Sequence, residues 1–164
     1  LLAIGYEKVV INSGLFTHPE VVREAVAQYG SQSIVASIDA KKVGDGYKCA
    51  ICNGQKLLDK TPLELALEAE QMGCGEIIIN SIDNDGMMKG YDLVLVKTIT
   101  EAVKVPVIAI GGAGGIDDLK KVIQKAGAHA AAGGSMFVFY GRLRAVLITA
   151  PSEKELTEAG IYTQ

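Results

Sequence analysis

The sequence predicts an α/β fold with parallel strands, namely the C-terminal part (about strands 4 to 8) of a TIM (β/α)8 barrel. Short apolar segments typical of strands alternate with helical patterns in the order β-α-β-α-β-α-β-α-β. Several strands are apolar at nearly every position, which is typical of a parallel sheet covered by helices. Five strands do not close an eight-stranded barrel. We therefore expect 1–164 to form a single partial barrel domain, with about three N-terminal βα units missing.

Each element has its own signal in the sequence. The predicted strands are 8–12, 33–40, 76–82, 107–110 and 128–133, and the predicted helices are 19–29, 61–72, 93–103, 116–126 and 152–159. Thr17 is the expected N-cap of the first helix, and Pro62 opens the second. Asp-Gly at 45–46 and Asn-Gly at 53–54 mark a small hairpin after the second strand.

The spacing of the strand ends favours a barrel over a dinucleotide-binding sheet. The ends fall at Asn12, Asp39, Asn80, Gly111 and Gly134, which are plausible distances for successive βα units. The sequence VVINS at 9–13 is echoed by IIINS at 77–81, so the units are built alike. No Gly-x-Gly-x-x-Gly follows the first strand, which disfavours the dinucleotide fold.

Composition excludes several classes of function. The net charge of −3 and a pI near 5.4 argue against a nucleic-acid partner. No run of 18 apolar residues occurs, so no membrane span is expected, and no charged segment typical of a signal peptide opens the chain. We expect a cytoplasmic protein. The chain begins at Leu1 without Met, as though cut from a helix that ends at Gly5.

The cysteines and histidines predict neither a metal site nor a cofactor. Cys49 and Cys52 form a lone Cys-x-x-Cys in a segment that reads as a strand, whereas a redox pair opens a helix. Cys74, His18 and His129 lack the spacing of zinc ligands. We interpret the cysteines as reduced thiols and both histidines as structural.

Two glycine-rich turns predict a phosphate site. Residues 111–115 join an apolar strand to a helix, and 133–135 end the next strand in the same way. Glycines let backbone N–H groups approach an anion, and barrels commonly bind phosphate in the loops after strands seven and eight. A plain turn role is the alternative for each.

Carboxylates near the strand ends are candidates for acid/base chemistry. Asp39 can act as a general acid or base, or it can cap a turn or pair with Lys41. Asp83 and Asp85 can point the same way from an extended segment, or can hold the turn at Gly86. The residues alone leave these alternatives open.

Five motifs together resemble the cyclase subunit of imidazole glycerol phosphate synthase. They are VASIDAKK at 35–42, GEI at 75–77, SIDNDG at 81–86, KGYD at 89–92 and GGAG at 111–114. They occur in the family's order and span most of the chain. The resemblance implies that Asp39 is the fifth-strand carboxylate of a catalytic acid/base pair and that Asp85 lines the substrate site. Lys8 and Glu76 resemble two of four charged residues that gate ammonia entry on the opposite face.

The resemblance also implies two phosphate contacts. Gly112, Gly134 and Ser135 would hold one substrate phosphate and Asn12 and Ser13 would contribute to the other, with Asn80, Ser81 and Gly111 completing the predicted binding set. The family enzyme takes ammonia from a glutaminase partner. It converts a bisphosphorylated ribulosyl-formimino carboxamide nucleotide to imidazole glycerol phosphate and aminoimidazole carboxamide ribotide.

Departures from the family pattern leave the substrate open. The chain lacks the first strand, which carries the other catalytic aspartate, so alone it is expected to be inactive. Asn80, Ile110 and Met87 replace the usual Thr, Ser and Thr, and the segment 136–148 differs from the usual tail. These features are similar to a paralogous branch that amidates surface-polysaccharide sugars. A non-catalytic half-barrel that associates with itself is the third hypothesis.

Overall fold

A computed structural model describes residues 1–161, which form one seven-stranded sheet and a separate two-stranded sheet. The large sheet contains β1 (Val9–Ile11), β2 (Ile34–Val43), β3 (Gly46–Ile51), β4 (Lys56–Leu57), β5 (Glu76–Ser81), β6 (Val107–Ile110) and β7 (Ala130–Ala131). The small sheet contains β8 (Phe139–Tyr140) and β9 (Ala145–Val146).

Helices separate the strands. They are α1 (Gly14–Thr17), α2 (Pro19–Tyr29), α3 (Pro62–Met72), α4 (Leu93–Thr100), α5 (Ile116–Ala126), α6 (Ser135–Val138) and α7 (Glu153–Glu158). Short 3-10 turns cover Leu2–Ile4 and Ser31–Ser33.

Five strands run parallel in the order β1-β2-β5-β6-β7. The parallel α/β architecture that the sequence predicts is confirmed. The hairpin is also confirmed, because β3 pairs antiparallel with β2 and β4 with β3. This hairpin changes the predicted end of the second strand. β2 continues to Val43, since β3 pairs with its residues 39–43, so Asp39 lies within the strand rather than at its tip.

The core lies between the sheet and the helices. Alternate residues of β2, β5 and β6 point toward the helices and are at most 1% exposed: Ala36, Ile38, Ala40, Ile77, Ile79, Val107 and Ala109. Leu65 and Ala66 of α3, Ile99 of α4 and Val122 of α5 join the same apolar cluster. Burial of this face supplies the main stabilising free energy of the fold.

The opposite face of the parallel strands is more open. Val10 of β1 is 54% exposed, and Ile78, Ile108 and Ile110 are partly exposed. Strand alternation and the register put these side chains on the face away from the helices. This is the inner face of the partial barrel, and we refer to it below as the inner face.

Helix ends follow the sequence signals with one correction. Thr61 and Glu64 form a capping box at α3, and Gly73 closes that helix in a left-handed conformation. Ser152 and Glu155 form the same box at α7. The prediction that Thr17 caps α2 is wrong, since Thr17 ends α1 and donates its hydroxyl to the Ser13 carbonyl.

The largest differences in length from the prediction are at α4 and β7, whereas β1, β5 and α7 are shorter by one residue at one or both ends. α4 ends at Thr100, after which 101–102 form a turn instead of continuing to Val103. β7 contains only Ala130 and Ala131, because regular pairing with β6 covers only Ile108 and Ala109.

We predict that residues 1–164, produced alone, self-associate through the inner face and the strand edges. Apolar side chains and unpaired strand edges are unfavourable in water. Sedimentation velocity at micromolar concentration measures this. Val10→Lys shifts the distribution toward monomer, whereas Val94→Lys, an equally drastic change on the exposed side of α4, leaves it unchanged. A compact monomer that unfolds cooperatively would refute the prediction.

Candidate functional site

Asp39 lies on the inner face between two asparagine side chains. Asn80 on β5 donates through Nδ2 to Asp39 Oδ1 at 2.9 Å, and Asn12, just after β1, lies with Nδ2 3.4 Å from Oδ2. Asn12 Nδ2 also donates to the Ser37 carbonyl at 2.9 Å. The amides on either side of β2 therefore fix the carboxylate in one orientation.

These amide partners come from the two segments that echo each other in sequence. β1 and β5 both pair parallel with β2, one on each side, so the repeated Ile-Asn-Ser brings an asparagine to both sides of Asp39. Asn80 Oδ1 is buried and has no hydrogen-bond partner in the described part of the chain. Asn80 therefore contributes its amide donors, not its oxygen, to this arrangement.

Lys41 does not pair with Asp39, so that sequence-based alternative is wrong. Its Nζ donates to Asp83 Oδ1 at 2.8 Å, and the Lys42 backbone N–H donates to Asp83 Oδ2 at 2.7 Å. These two hydrogen bonds lower the pKa of Asp83. Asp83 thus ties the loop after β5 to the end of β2, while Asp39 keeps its amide partners. The cap alternative also fails, because Asp39 lies within β2.

Asp85 borders two neighbouring cavities. One, of about 290 Å³, is lined by Asp39, Asn80, Asp85 and the hairpin residues Asn53 and Gly54. The other, of about 120 Å³, is lined by Asp85, Gly86, Gly111, Gly112, Gly134 and Ser135, among others. Asp85 is exposed, and its backbone N–H donates to the Ser81 carbonyl at 3.0 Å. The candidate acid/base residue and the glycine turns therefore lie on either side of one carboxylate.

We call the smaller of these cavities, of about 120 Å³, the glycine cavity, and the larger one the Asp39 cavity. The glycine cavity depends on two places where the backbone at a glycine lies very close to a carbonyl group of another loop. Gly111 has φ +91°, and a Cβ there would lie 2.6 Å from the Ser81 carbonyl oxygen. Gly112 has φ +111°, and a Cβ there would lie 2.2 Å from the Gly90 carbonyl oxygen. Both positions combine a left-handed backbone with a contact that no side chain permits. The loop after β6 can therefore lie directly against the loop after β5.

Backbone donors at this cavity are free. In residues 1–161, the N–H groups of Gly112, Gly134 and Ser135 have no hydrogen-bond acceptor. Gly112 is buried and Ser135 is half-buried, and N–H groups in such positions normally find a partner, whereas Gly134 is exposed. The cavity thus offers three N–H donors and the Ser135 hydroxyl to an anion.

Lys8 and Glu76 lie at the other end of the strands and form an ion pair. Glu76 is the first residue of β5 and shares the inner face with Asn80, four residues further on, so about 13 Å of strand separates them. The two residues that resemble an ammonia gate are therefore adjacent, and they are remote from Asp39.

Two predicted site residues do not contact Asp39 directly. The Ser81 side chain is 5% exposed and shares the helix-facing side of β5 with Ile77 and Ile79. Ser13 Oγ lies 3.2 Å from Asn12 Oδ1 and accepts from the Cys52 N–H at 3.3 Å, which links it to the hairpin loop. Their binding roles stay predictions.

The tail contributes a residue that the sequence reasoning did not select. Arg144 Nη2 donates to the Gly86 carbonyl at 2.9 Å, next to Asp85. Asn53 and Gly54 were likewise predicted only as a turn, yet they line the Asp39 cavity. The sequence offered no signal that selects Arg144, because Arg142 and Arg144 both follow Gly141 in the tail and only the fold distinguishes them.

The cysteines are free thiols in separate environments. Cys49 and Cys74 are buried and Cys52 is exposed. Burial raises the pKa of Cys49 to about 12, so its thiol stays protonated at neutral pH.

Both histidines have hydrogen-bonding neighbours. His129 Nδ1 accepts from the Val107 N–H at 3.2 Å, and His18 Nδ1 lies 2.8 Å from Thr17 Oγ1. Within residues 1–161, no group of three or more His, Cys, Asp or Glu side chains is arranged to hold a metal ion. None of the helices in this range has the length and hydrophobicity of a membrane-spanning segment.

Comparison with known proteins identifies related sequences. The family model described as "Histidine biosynthesis protein" matches residues 1–144. Two curated relatives are named "Putative imidazole glycerol phosphate synthase subunit": one from Vibrio vulnificus is 42% identical over 161 residues, covering 97% of this chain, and one from Pseudomonas aeruginosa is 43% identical over 157 residues, covering 95%. An imidazole glycerol phosphate synthase subunit from Metallosphaera sedula is 43% identical over 137 residues, covering 84% of this chain and 55% of its own length. This chain spans 62% of the length of each of the first two.

We predict that Asp83→Asn lowers stability at neutral pH by about 1 kcal/mol or less, because the ion pair with Lys41 is partly exposed. The folded-state pKa of Asp83 is lowered, so its contribution is present above the unfolded pKa of about 3.9 and is lost as pH falls through the folded value. Urea unfolding at pH 7 and pH 3 should show the difference between wild type and variant shrinking in acid. Asp45→Asn, at the exposed hairpin turn, is the control. A difference independent of pH would contradict the prediction.

Proposed function

Since this chain belongs to the histidine biosynthesis protein family, we propose that it forms the C-terminal part of a cyclase subunit of imidazole glycerol phosphate synthase. In this proposal ammonia from a glutaminase partner is joined to a bisphosphorylated formimino carboxamide nucleotide. The products are imidazole glycerol phosphate and aminoimidazole carboxamide ribotide. The reaction takes place in the cytoplasm.

The observation that carries the proposal is the position of Asp39. Its carboxylate is oriented by the amides of Asn12 and Asn80, and it faces a cavity that shares Asp85 with the glycine cavity. A substrate phosphate held by the glycine loops would bring the rest of a long substrate along Asp85 toward Asp39. Positioning of this kind supplies much of the rate enhancement when two reactants must meet.

The residues divide the chemistry between them. Asp39 moves protons as ammonia adds and as the imidazole ring closes, with the first-strand aspartate of the complete barrel as its partner. Asp85 contacts the substrate between the two cavities. The free N–H groups at Gly112, Gly134 and Ser135 bind one phosphate, and Asn12 and Ser13 contribute to binding the other.

Ammonia would enter from the opposite end of the strands. Lys8 and Glu76 are paired there, and about 13 Å of inner face lies between them and Asp39. An ion pair at an entrance can exclude water while it is closed and admit a small neutral molecule when it opens. A glutaminase docked at that end would deliver ammonia without release to solvent.

A second candidate substrate is a sugar precursor of a surface polysaccharide. Two observations favour it: Asn80 is one of the two residues that orient Asp39, and the tail folds into a hairpin at the rim of the glycine cavity. Both features lie where substrates are distinguished, and both belong to the sequence departures. A non-catalytic, self-associating half-barrel is the third candidate, supported by the open inner face.

We predict that inorganic phosphate binds at Gly112, Gly134 and Ser135. Amide chemical shifts of these residues should move together during titration, because their N–H groups would gain an acceptor. Ser135→Ala should weaken binding about three-fold or more, through loss of one hydrogen bond.

The control for this titration is Gly115→Ala, since Gly115 is extended and a Cβ there meets nothing within 4 Å. That variant should bind like the wild type. Crystals grown in sulfate with no anion at the site and with these N–H groups turned away would disprove the phosphate site.

We predict that Asp39→Asn, in a protein with the complete barrel, abolishes ammonia-dependent cyclisation while substrate affinity stays within several-fold. A group that transfers protons acts mainly on the transition state, so kcat falls far more than KM changes. Steady-state kinetics with ammonium salts separates the two. Asp45→Asn is the control, and unchanged turnover in Asp39→Asn would leave Asp39 with a structural role only.

A further inference from the structure

The tail after α6 folds into a hairpin with an unusual turn. Phe139 pairs with Val146 and Tyr140 with Ala145, so residues 141–144 form the connecting loop. Gly141 and Arg144 both have a left-handed backbone, with φ of +68° and +50°. Glycine suits such a conformation, whereas a residue with a Cβ is disfavoured there. The left-handed backbone at position 144 therefore disfavours arginine.

The Arg144 side chain makes two contacts that glycine could not make. Nη2 donates to the Gly86 carbonyl at 2.9 Å. The guanidinium carbon lies 4.8 Å from the centroid of the Phe139 ring, which is a cation–π distance. The guanidinium thus contacts the Phe139 ring while it donates to the Gly86 carbonyl, so one side chain joins the tail hairpin to the loop that contains Gly86.

Gly86 belongs to the loop that connects the two halves of the site. It follows Asp85 directly, and both line the glycine cavity. A Cβ on Gly86 would lie 3.8 Å from Ser135 Oγ, so the loop runs beside the other wall of that cavity. The loop has other contacts: the N–H groups of Asn84 and Asp85 donate to the Ser81 carbonyl, that of Met87 donates to the Asn84 carbonyl, and Asp83 accepts from Lys41 and Lys42. Among the described residues, only Arg144 donates to the Gly86 carbonyl.

Arg144 also places a positive charge close to the negative charge of Asp85 at the edge of the glycine cavity. Asp85 is the one charged residue that lines the glycine cavity within the described part of the chain, and it is negative. An anion entering the cavity meets that carboxylate. Arg144, bonded to the adjacent carbonyl, brings a positive charge to the same loop.

We propose that Arg144 is a positioning residue, which holds the Asp85–Gly86 segment against the glycine cavity and so sets the position of Asp85 relative to a bound anion. Only its consequence for the anion rests on the proposed function. The contact itself links the tail hairpin to the loop after β5, and it makes the hairpin part of the site.

Hydrogen exchange on the full chain tests the positioning role without any ligand. Arg144→Gly removes both side-chain contacts and relieves the left-handed backbone, so folding is not at risk from the substitution. The amides of Asn84, Asp85 and Met87 should exchange at least about five-fold faster, while amides of β5 and β6 keep their protection. Arg142→Gly, in the same loop and with no hydrogen bond in the described structure, should leave all these rates unchanged.

A phosphate titration of the same variants tests the consequence for an anion. Arg144→Gly should bind inorganic phosphate about three- to ten-fold more weakly than wild type, and Arg142→Gly should not. Arg144→Lys keeps the charge but loses the guanidinium, which donates to Gly86 and contacts Phe139, so it should recover part of the affinity but little of the exchange protection.

The two measurements separate the possible failures. Unchanged exchange at Asn84, Asp85 and Met87 in Arg144→Gly overturns the positioning role, whatever the affinity. Equal effects of Arg144→Gly and Arg142→Gly also overturn it. If exchange is faster in Arg144→Gly but the wild type does not bind phosphate, the positioning role is supported. The phosphate site of the proposed function is then contradicted.

Discussion

Parallel pairing of β1, β2, β5, β6 and β7 is the constraint on which the rest of the structure depends. Parallel neighbours require the chain to return along a helix each time, so the helices cover one face of the sheet. The carboxyl ends of the strands then share one edge. The Asp39 cavity, the loop with Asp85 and both glycine turns are at that edge for this reason, and the Lys8–Glu76 pair is at the other.

Because side chains alternate along a strand, one set of residues in each strand packs in the core and the other set faces the site. In β2 the residues Ala36, Ile38 and Ala40 enter the core, while Ser37 and Asp39 face inward and stay partly accessible. The register with β5 sets Asn80 beside Asp39. A shift of one residue in that register would bury the asparagine and expose an isoleucine, so the orientation of the carboxylate and the packing of the core are protected by the same pairing.

Much of this was predictable from sequence because apolar periodicity and turn residues are local signals. Strands β1, β5 and β6, the helix from Pro62 to Met72 and the hairpin after Asp45 follow from such patterns, whereas no strand was predicted at β8 or β9. The amide neighbours of Asp39 could not be derived, since they depend on which strands pair. The echo of Ile-Asn-Ser was visible, but its meaning needed the order β1-β2-β5.

The tail shows most clearly why local signals miss a site. Arg144 is unfavourable for its own backbone, and its partners Gly86 and Phe139 lie 58 and 5 residues away in the chain. Local propensity predicts glycine at a left-handed position, so a rule based on propensity overlooks the arginine. The side chain is accounted for only by contacts across the fold. A residue that opposes its local preference and reaches a loop between two cavities therefore indicates function more strongly than a residue that local preference already explains.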